Sequence, residues 1–280
     1  MTVTVVTDST AYLPEGLVDE DGVTVVPLHV VLGGRSGLET TEVSPAEVAA
    51  ALQERRVQVS TSRPTPGQLA SAYRACGSEE VVSVHLSSAL SGTSDSARMA
   101  AQLVAAEGIE VRVVDSRTIA MGLGFAVLAA AEASAAGHDL DAVTTAAEHA
   151  AAATSTWFYV DTMEHLRRGG RVTAASALVG TALAVKPILV VKDGAISLLE
   201  KVRTSSRAIA RLEQLAVTSA GSGPVHVAVH HLAAPARAAT LADALRAALP
   251  ELRSLYVSEV GAVVGAHVGP GLLGLVVWRR

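Results

Sequence analysis

The chain has 280 residues, a formal net charge of −5 and one cysteine, Cys76; half of its residues are hydrophobic but only 3% are aromatic. That length allows one large or two ordinary domains with cores of small and branched aliphatics. The acidic balance argues against a nucleic-acid partner, which calls for a basic patch, and a lone cysteine excludes both an intramolecular disulfide and a cysteine-rich metal site.

The start, Met1-Thr2-Val3-Thr4-Val5-Val6, lacks the basic-then-apolar pattern of a signal peptide. No run of about 18 or more apolar residues appears, so no stable membrane insertion is expected and the expected compartment is the cytoplasm. Val3 to Val6 is the first predicted strand. It ends in Thr7-Asp8-Ser9-Thr10, where Asp8 either makes the turn or binds a cation, the turn being the commoner use. Val23 to Val31 is a second extended region, broken by Pro27 and closed by Gly33-Gly34. Ser44-Pro45-Ala46-Glu47 opens a helix that runs to about Arg56, with Ser as cap, Pro in the first position and Glu in the third. In Ser60 to Gln68, Pro64 and Pro66 force the residues before them into extended backbone, giving a stiff loop that presents Thr61 and Ser62 ahead of a helix from Gly67 to Cys76. Val81 to Leu86 reads as a buried strand and Ala97 to Glu107 as a helix, with the hydroxyl-rich Ser87 to Ser96 between them. Val111 to Val114 is a strand ending in Asp115-Ser116-Arg117-Thr118, and helices follow over Met121 to Ala136 and Asp141 to Ala153. Strands alternating with helices predict an α/β domain over residues 1–153, a parallel sheet with helices on both faces.

Residues 154–280 form a second, different α/β domain. Trp157 to Val160 is a strand, Asp161 to Arg168 a short helix ended by Gly169-Gly170, and a further helix follows Arg171 through Gly180. Ile188 to Val191 and Ala195 to Val202 flank Lys192-Asp193-Gly194 as a hairpin. Helices over Thr204 to Gly221, Pro235 to Leu249 and Gly261 to His267 alternate with strands Val225 to His230, Leu252 to Val257 and Leu272 to Trp278. The expectation is a mixed sheet of about six strands with helices on one face.

Hydroxyl clusters recur after Val6, Val59, Leu86 and Val114, at the carboxyl ends of strands, where parallel sheets bind ligands. Ser87-Ser88-Ala89-Leu90-Ser91-Gly92-Thr93 joins a strand to a helix N-terminus, a natural anion site. Alternatively, Ser91 or Thr93 merely caps that helix. The candidate residues are Thr61, Ser62, Ser91, Thr93, Arg171 and His267. His267 also reads as a buried, hydrogen-bonded structural histidine, and Arg171 as an exposed charge past a helix end. No Gly-x-Ser-x-Gly elbow surrounds the hydroxyl clusters. Gly265-Ala266-His267-Val268-Gly269-Pro270-Gly271 is neither a dinucleotide fingerprint nor a Walker loop. His230 and His231, adjacent on a strand, point to opposite faces and do not share a metal. Neutral hydroxyls and N–H groups suit a carboxylate, and a cleft between two aliphatic halves suits a long apolar ligand at ~0.8 kcal/mol per buried methylene.

In order along the chain, Val5 to Thr10, Thr61 to Gly67, Ser87 to Thr93, Val114-Asp115-Ser116, Asp161 to Arg171, Lys186-Pro187-Ile188-Leu189, Lys201-Val202-Arg203-Thr204 and Gly265 to Gly271 resemble the DegV family of bacterial fatty-acid-binding proteins. The resemblance implies a long-chain fatty acid in a cleft between two α/β domains, its carboxylate held by Thr61 and Ser91 with Ser62 and Gly92 close by, and Arg171 and His267 near the head group. It also implies a carrier without catalysis or cofactor, which presents the acid to a separate ATP-dependent fatty acid kinase for acyl-phosphate formation. Arg203 matches a candidate for kinase docking. Two positions depart from the family pattern. Arg63 stands where glutamine is usual, so it either adds a cation near the carboxylate or points to solvent. Ser94-Asp95 replaces an aromatic followed by a polar residue, which bears on pocket shape. The rival readings are a serine hydrolase using Ser91 and His267, and a binder of another small carboxylate or phosphate.

Overall fold

The computed structural model describes residues 2–14, 16, 22–54, 57–172 and 185–280. Through Ala153 its elements are β1 (Thr4–Asp8), a 3-10 turn (Ser9–Ala11), β2 (Val23–Val26), β3 (His29–Leu32), β4 (Arg35–Leu38), α1 (Pro45–Gln53), β5 (Val59–Ser62), α2 (Pro66–Ala75), β6 (Glu80–His85), α3 (Thr93–Ala105), β7 (Glu110–Asp115), α4 (Met121–Ala135) and α5 (Leu140–Ala152). Then come β8 (Thr154–Tyr159), α6 (Glu164–Gly169), β9 (Lys186–Lys192), β10 (Ala195–Val202), α7 (Ser205–Ala220), β11 (Val225–His231), α8 (Pro235–Ala248), β12 (Leu252–Glu259), α9 (Ala262–Val268) and β13 (Leu273–Arg279). The helix predicted after Arg171 and the predicted helix end at Arg56 lie outside the described residues.

The chain divides into two units, Met1–His29 with Ser62–Ala153, and Val30–Thr61 with Thr154–Arg280. The first unit carries a sheet of order β2-β1-β6-β7 in which every pair is parallel. Val5, Val6, Val81, Val82 and Val84 are all buried, so successive residues are covered whichever face they point to, as in a sheet clad on both sides. Leu69, Ala70 and Tyr73 of α2 and Ala97, Ala100 and Val104 of α3 pack with Val6 and Val81 on one face. The other face is covered by α4 and α5, which pack against β1, β6 and β7. At Gly124 any Cβ would come within 2.8 Å of the Ala11 carbonyl oxygen, so α4 meets the turn after β1 only through glycine.

The second unit carries a sheet of order β10-β9-β8-β13-β11-β12, antiparallel except for β11 with β12. Asp193 (φ 51°) and Gly194 (φ 83°) form the tight turn between β9 and β10, the left-handed pair that matches strand twist. Tyr159, Ile188, Val227, Val229 and Leu275 pack against Ala208, Leu212 and Ala216 of α7 and Leu241 and Leu245 of α8.

The segment Val30–Thr61, expected within the first domain, belongs instead to the second unit. Its strands form a separate sheet of order β4-β3-β5, with Gly33 (φ 59°) and Gly34 (φ 87°) turning β3 into β4. The physical reason is a pair of anchors. Val48 of α1 faces Gly265 of α9, and the fully buried Glu39 carboxylate accepts a hydrogen bond from the Val263 N–H at 2.8 Å. The α9 N-cap is Gly261, which has no side chain to cap with, so a Glu39 side-chain oxygen takes that role.

The stiff loop predicted over Ser60 to Gln68 is shorter than expected, because β5 extends through Ser62. α2 then starts at Pro66 with a capping box between Thr65 and Gln68. α3 starts at Thr93, four positions before the predicted Ala97, and so takes the last hydroxyls of the serine-rich stretch into its first turn.

Candidate functional site

The candidate residues fall into two clusters, one in each unit. In the first unit the loop after β6 is tied down at both ends. Asp8, fully buried, accepts from the Thr10 N–H (3.1 Å), the Thr10 hydroxyl (2.6 Å) and the Leu86 N–H (3.0 Å), and lies 3.0 Å from His85 Nδ1. Asp8 is therefore a turn-maker that also fixes the end of β6. His85 Nε2 continues to Ser83 Oγ at 2.7 Å, and Ser83 Oγ to the Tyr73 hydroxyl at 2.9 Å. Burial pushes the Tyr73 phenol up to about 12. Ser83, His85 and Asp8 have the composition of a hydrolytic triad, but all are wholly buried and Ser83 Oγ is held between His85 and the Tyr73 hydroxyl. The other side of the loop is held by Ser87 N–H on the Thr118 carbonyl (2.9 Å) and Ser88 N–H on Asp115 Oδ1 (3.1 Å).

Most of the recurring hydroxyls brace backbone. Thr7 donates to the Val84 carbonyl (2.8 Å), Ser9 accepts from Leu28 N–H (3.0 Å), Ser87 from Ala89 N–H (3.2 Å) and Ser116 from Thr118 N–H (3.3 Å). The clusters after Val6 and Val114 are thus structural. Ser91 and Thr93 differ. Their hydroxyls bond to each other at 2.9 Å, while the cap position of α3 is Gly92 and no side chain caps the helix. The capping alternative for these two residues does not hold: among the described residues neither hydroxyl bonds a first-turn N–H of α3. Ser62 is exposed at the end of β5. Arg63 lies against Gly92 itself, where a Cβ would overlap Arg63 Nη1 and come within 2.8 Å of Cζ.

In the second unit β5 ends beside α9. Thr61 Oγ1 is 2.8 Å from His267 Nε2. Burial, with the Arg171 charge second, pushes His267 down to about 4, so the imidazole is neutral at physiological pH. Its Nδ1 is buried without a partner among the described residues and rests on Gly169, where any Cβ would overlap it and come within 3.1 Å of Cε1. Arg171 is half-buried rather than an exposed charge past the helix end, and donates to the Gly169 carbonyl. Gly170 (φ 70°) is the residue that ends α6; Gly169, read as part of the same helix stop, is there to admit the imidazole. Two adjacent glycines where one ends a helix were the available signal.

Motif residues Asp161 and Lys186 also pair, at 2.7 Å, joined by the Tyr159 hydroxyl (2.5 Å) and Arg237 (3.3 Å). Burial pushes the Asp161 carboxyl up, but bonds from Lys186 and Tyr159 and the charges of Lys186 and Arg237 outweigh it and hold the group below its ordinary value. Arg203 is exposed between β10 and α7. His230 bonds Ser258 at 3.0 Å and His231 lies 3.6 Å from Glu259. Among the described residues no group of three His, Cys, Asp or Glu side chains is placed to hold a metal, and no helix is long and apolar enough to cross a membrane. For hydrolysis, His267 lacks an orienting carboxylate at Nδ1 and its Nε2 is engaged by Thr61.

Residues 2–280 match the family described as uncharacterised protein, DegV family. A structure of a fatty-acid-binding DegV family protein from Thermus thermophilus superposes with a TM-score of 0.93 at 33% identity, covering 100% of both chains. DegV of Bacillus subtilis, a fatty acid binding protein, superposes with a TM-score of 0.90 at 34% identity, again over 100% of both chains. A parallel four-stranded unit and a mixed six-stranded unit are the shared α/β architecture, and this chain belongs to the DegV family. A DegV domain-containing protein of Streptomyces coelicolor is 57% identical over 281 residues, 99% of each chain.

Proposed function

We propose that this protein binds a long-chain fatty acid in the cytoplasm and presents it to a separate ATP-dependent fatty acid kinase, which forms the acyl phosphate. The carboxylate is held by the Thr61 and Ser91 hydroxyls, with Ser62, Gly92, Thr93, Arg171 and His267 around it. Fatty acid binding by DegV relatives at about one-third identity over the whole chain supports the ligand class. The observation that carries the residue assignment is the Ser91–Thr93 pair, two hydroxyls at a helix start that serve no cap. With neutral His267 donating from Nε2, the Thr61 hydroxyl keeps its own hydrogen for a carboxylate oxygen. Each charge-assisted bond is worth about 1.5–3 kcal/mol, and each buried acyl methylene ~0.8 kcal/mol, so the chain dominates affinity and the hydroxyls orient the head.

Kinase docking is assigned to Arg203. It is exposed together with Lys201 and Arg207, and no carboxylate among the described residues pairs with any of the three, which leaves a cationic edge for an acidic partner surface. Mass spectrometry of an organic extract of the purified protein tests the proposal: a fatty acid near equimolar with the chain is expected. An extract without one, from a protein that also takes up no added acid, overturns it.

A further inference from the structure

We infer that Arg63 sets the head-group specificity of the proposed fatty-acid site, selecting an ionised carboxylate over an uncharged head of the same chain. The inference rests on the carrier function proposed above and adds to its hydroxyls a cation from the first unit. Three observations carry it, all within the first unit. Arg63 is followed by the buried Pro64, which restricts Arg63 to extended backbone and so fixes where its side chain departs. Its guanidinium lies on the α carbon of Gly92, the residue between Ser91 and Thr93. No hydrogen bond or ion pair holds it there among the described residues: the acidic residue in the first turn of α3, Asp95, is paired with Arg98 at 2.8 Å. A guanidinium laid on a helix start with no carboxylate partner among the described residues keeps its five donors for a ligand anion.

Gly92 is what permits this placement. Its backbone (φ −78°, ψ 19°) is open to any L-residue, so glycine is not required there by conformation. It is required by space, because a side chain would displace the Arg63 head. The Ser91 and Thr93 hydroxyls donate to a carboxylate or an alcohol alike, whereas a guanidinium discriminates strongly for the anion. Exposure of Arg63 makes the discrimination sensitive to salt.

The test is the affinity ratio of hexadecanoic acid to hexadecan-1-ol, measured by displacement of a fluorescent acid from delipidated protein. The shared chain cancels in the ratio, whatever chain length the pocket prefers. The wild type should favour the acid, and less so at high salt. Arg63→Gln should lower the ratio about tenfold and remove most of the salt dependence; an exposed, unpaired side chain can be replaced without loss of fold. Gly92→Ala should do the same by displacing the guanidinium, and the double variant should be no worse than either single one. A ratio unchanged in Arg63→Gln overturns the inference and leaves the carrier function standing. Additive losses in the double variant also overturn it, because Gly92 would then act on the ligand directly. A wild type that binds neither compound removes the carrier function and the inference with it.

Discussion

The two polar clusters are built on opposite principles. In the first unit Ser91 and Thr93 hold each other at a helix start with no side-chain cap, beside Arg63, which has no carboxylate partner among the described residues. In the second, Thr61 is locked to a buried neutral imidazole whose other face is pressed on glycine. The first is a helix start with a cation laid against it; in the second, packing fixes the Thr61 and His267 side chains, with the Arg171 charge acting on the imidazole.

Breaking both clusters at once should have the largest effect. Thr61→Ala with Ser91→Ala removes two charge-assisted bonds and should weaken fatty-acid binding at least about 100-fold in a displacement assay; unchanged affinity would refute both assignments. Acid should next separate the clusters, because only the second contains a titrating group. Burial pushes His267 down to about 4, and burial with the His231 charge pushes His230 down to about 4, while both titrate near 6.5 in the unfolded chain. Between those values the unfolded state binds more protons. Folding stability is therefore complete above about pH 6.5 and falls as pH drops toward 4, by roughly 3 kcal/mol for each histidine. Denaturant melts across that range should show the loss, and His267→Gln should remove its own share; an unaltered pH profile in that variant would show that His267 is not held neutral by the fold. Gly169→Ala should disturb the second cluster alone, pushing the imidazole off its seat and costing about tenfold in affinity with the Arg63-dependent salt response intact. The smallest effect on binding is expected at Arg203, which belongs to neither cluster: Arg203→Ala should bind acid like the wild type and lose kinase-dependent phosphorylation, and a fall in binding would move Arg203 into the pocket or the fold.

Continuous valine runs and the Asp193-Gly194 turn made both sheets readable from the chain, and Ser44 with Glu47 marked the start of α1, where the capping box is present. Burial patterns of this kind are local, and local patterning is what a sequence displays openly. What it concealed was partnership. Val30–Thr61 alternates and turns like any α/β segment, and nothing in it announces that Glu39 will cap a helix 224 positions away. The Thr61–His267 bond spans 206 positions. The hydroxyl clusters after Val6, Leu86 and Val114 look alike on paper, yet the structure spends Thr7, Ser9, Ser87 and Ser116 on backbone and leaves Ser91 and Thr93 to each other. Which hydroxyls remain for a ligand is decided by the strand ends they meet, and those meetings are tertiary.

The most direct measurement is a crystal structure of the delipidated protein reloaded with hexadecanoic acid. Carboxylate oxygens are expected within hydrogen-bond distance, about 2.6–3.0 Å, of both Thr61 Oγ1 and Ser91 Oγ. A head group bound elsewhere, touching neither hydroxyl, would contradict that assignment.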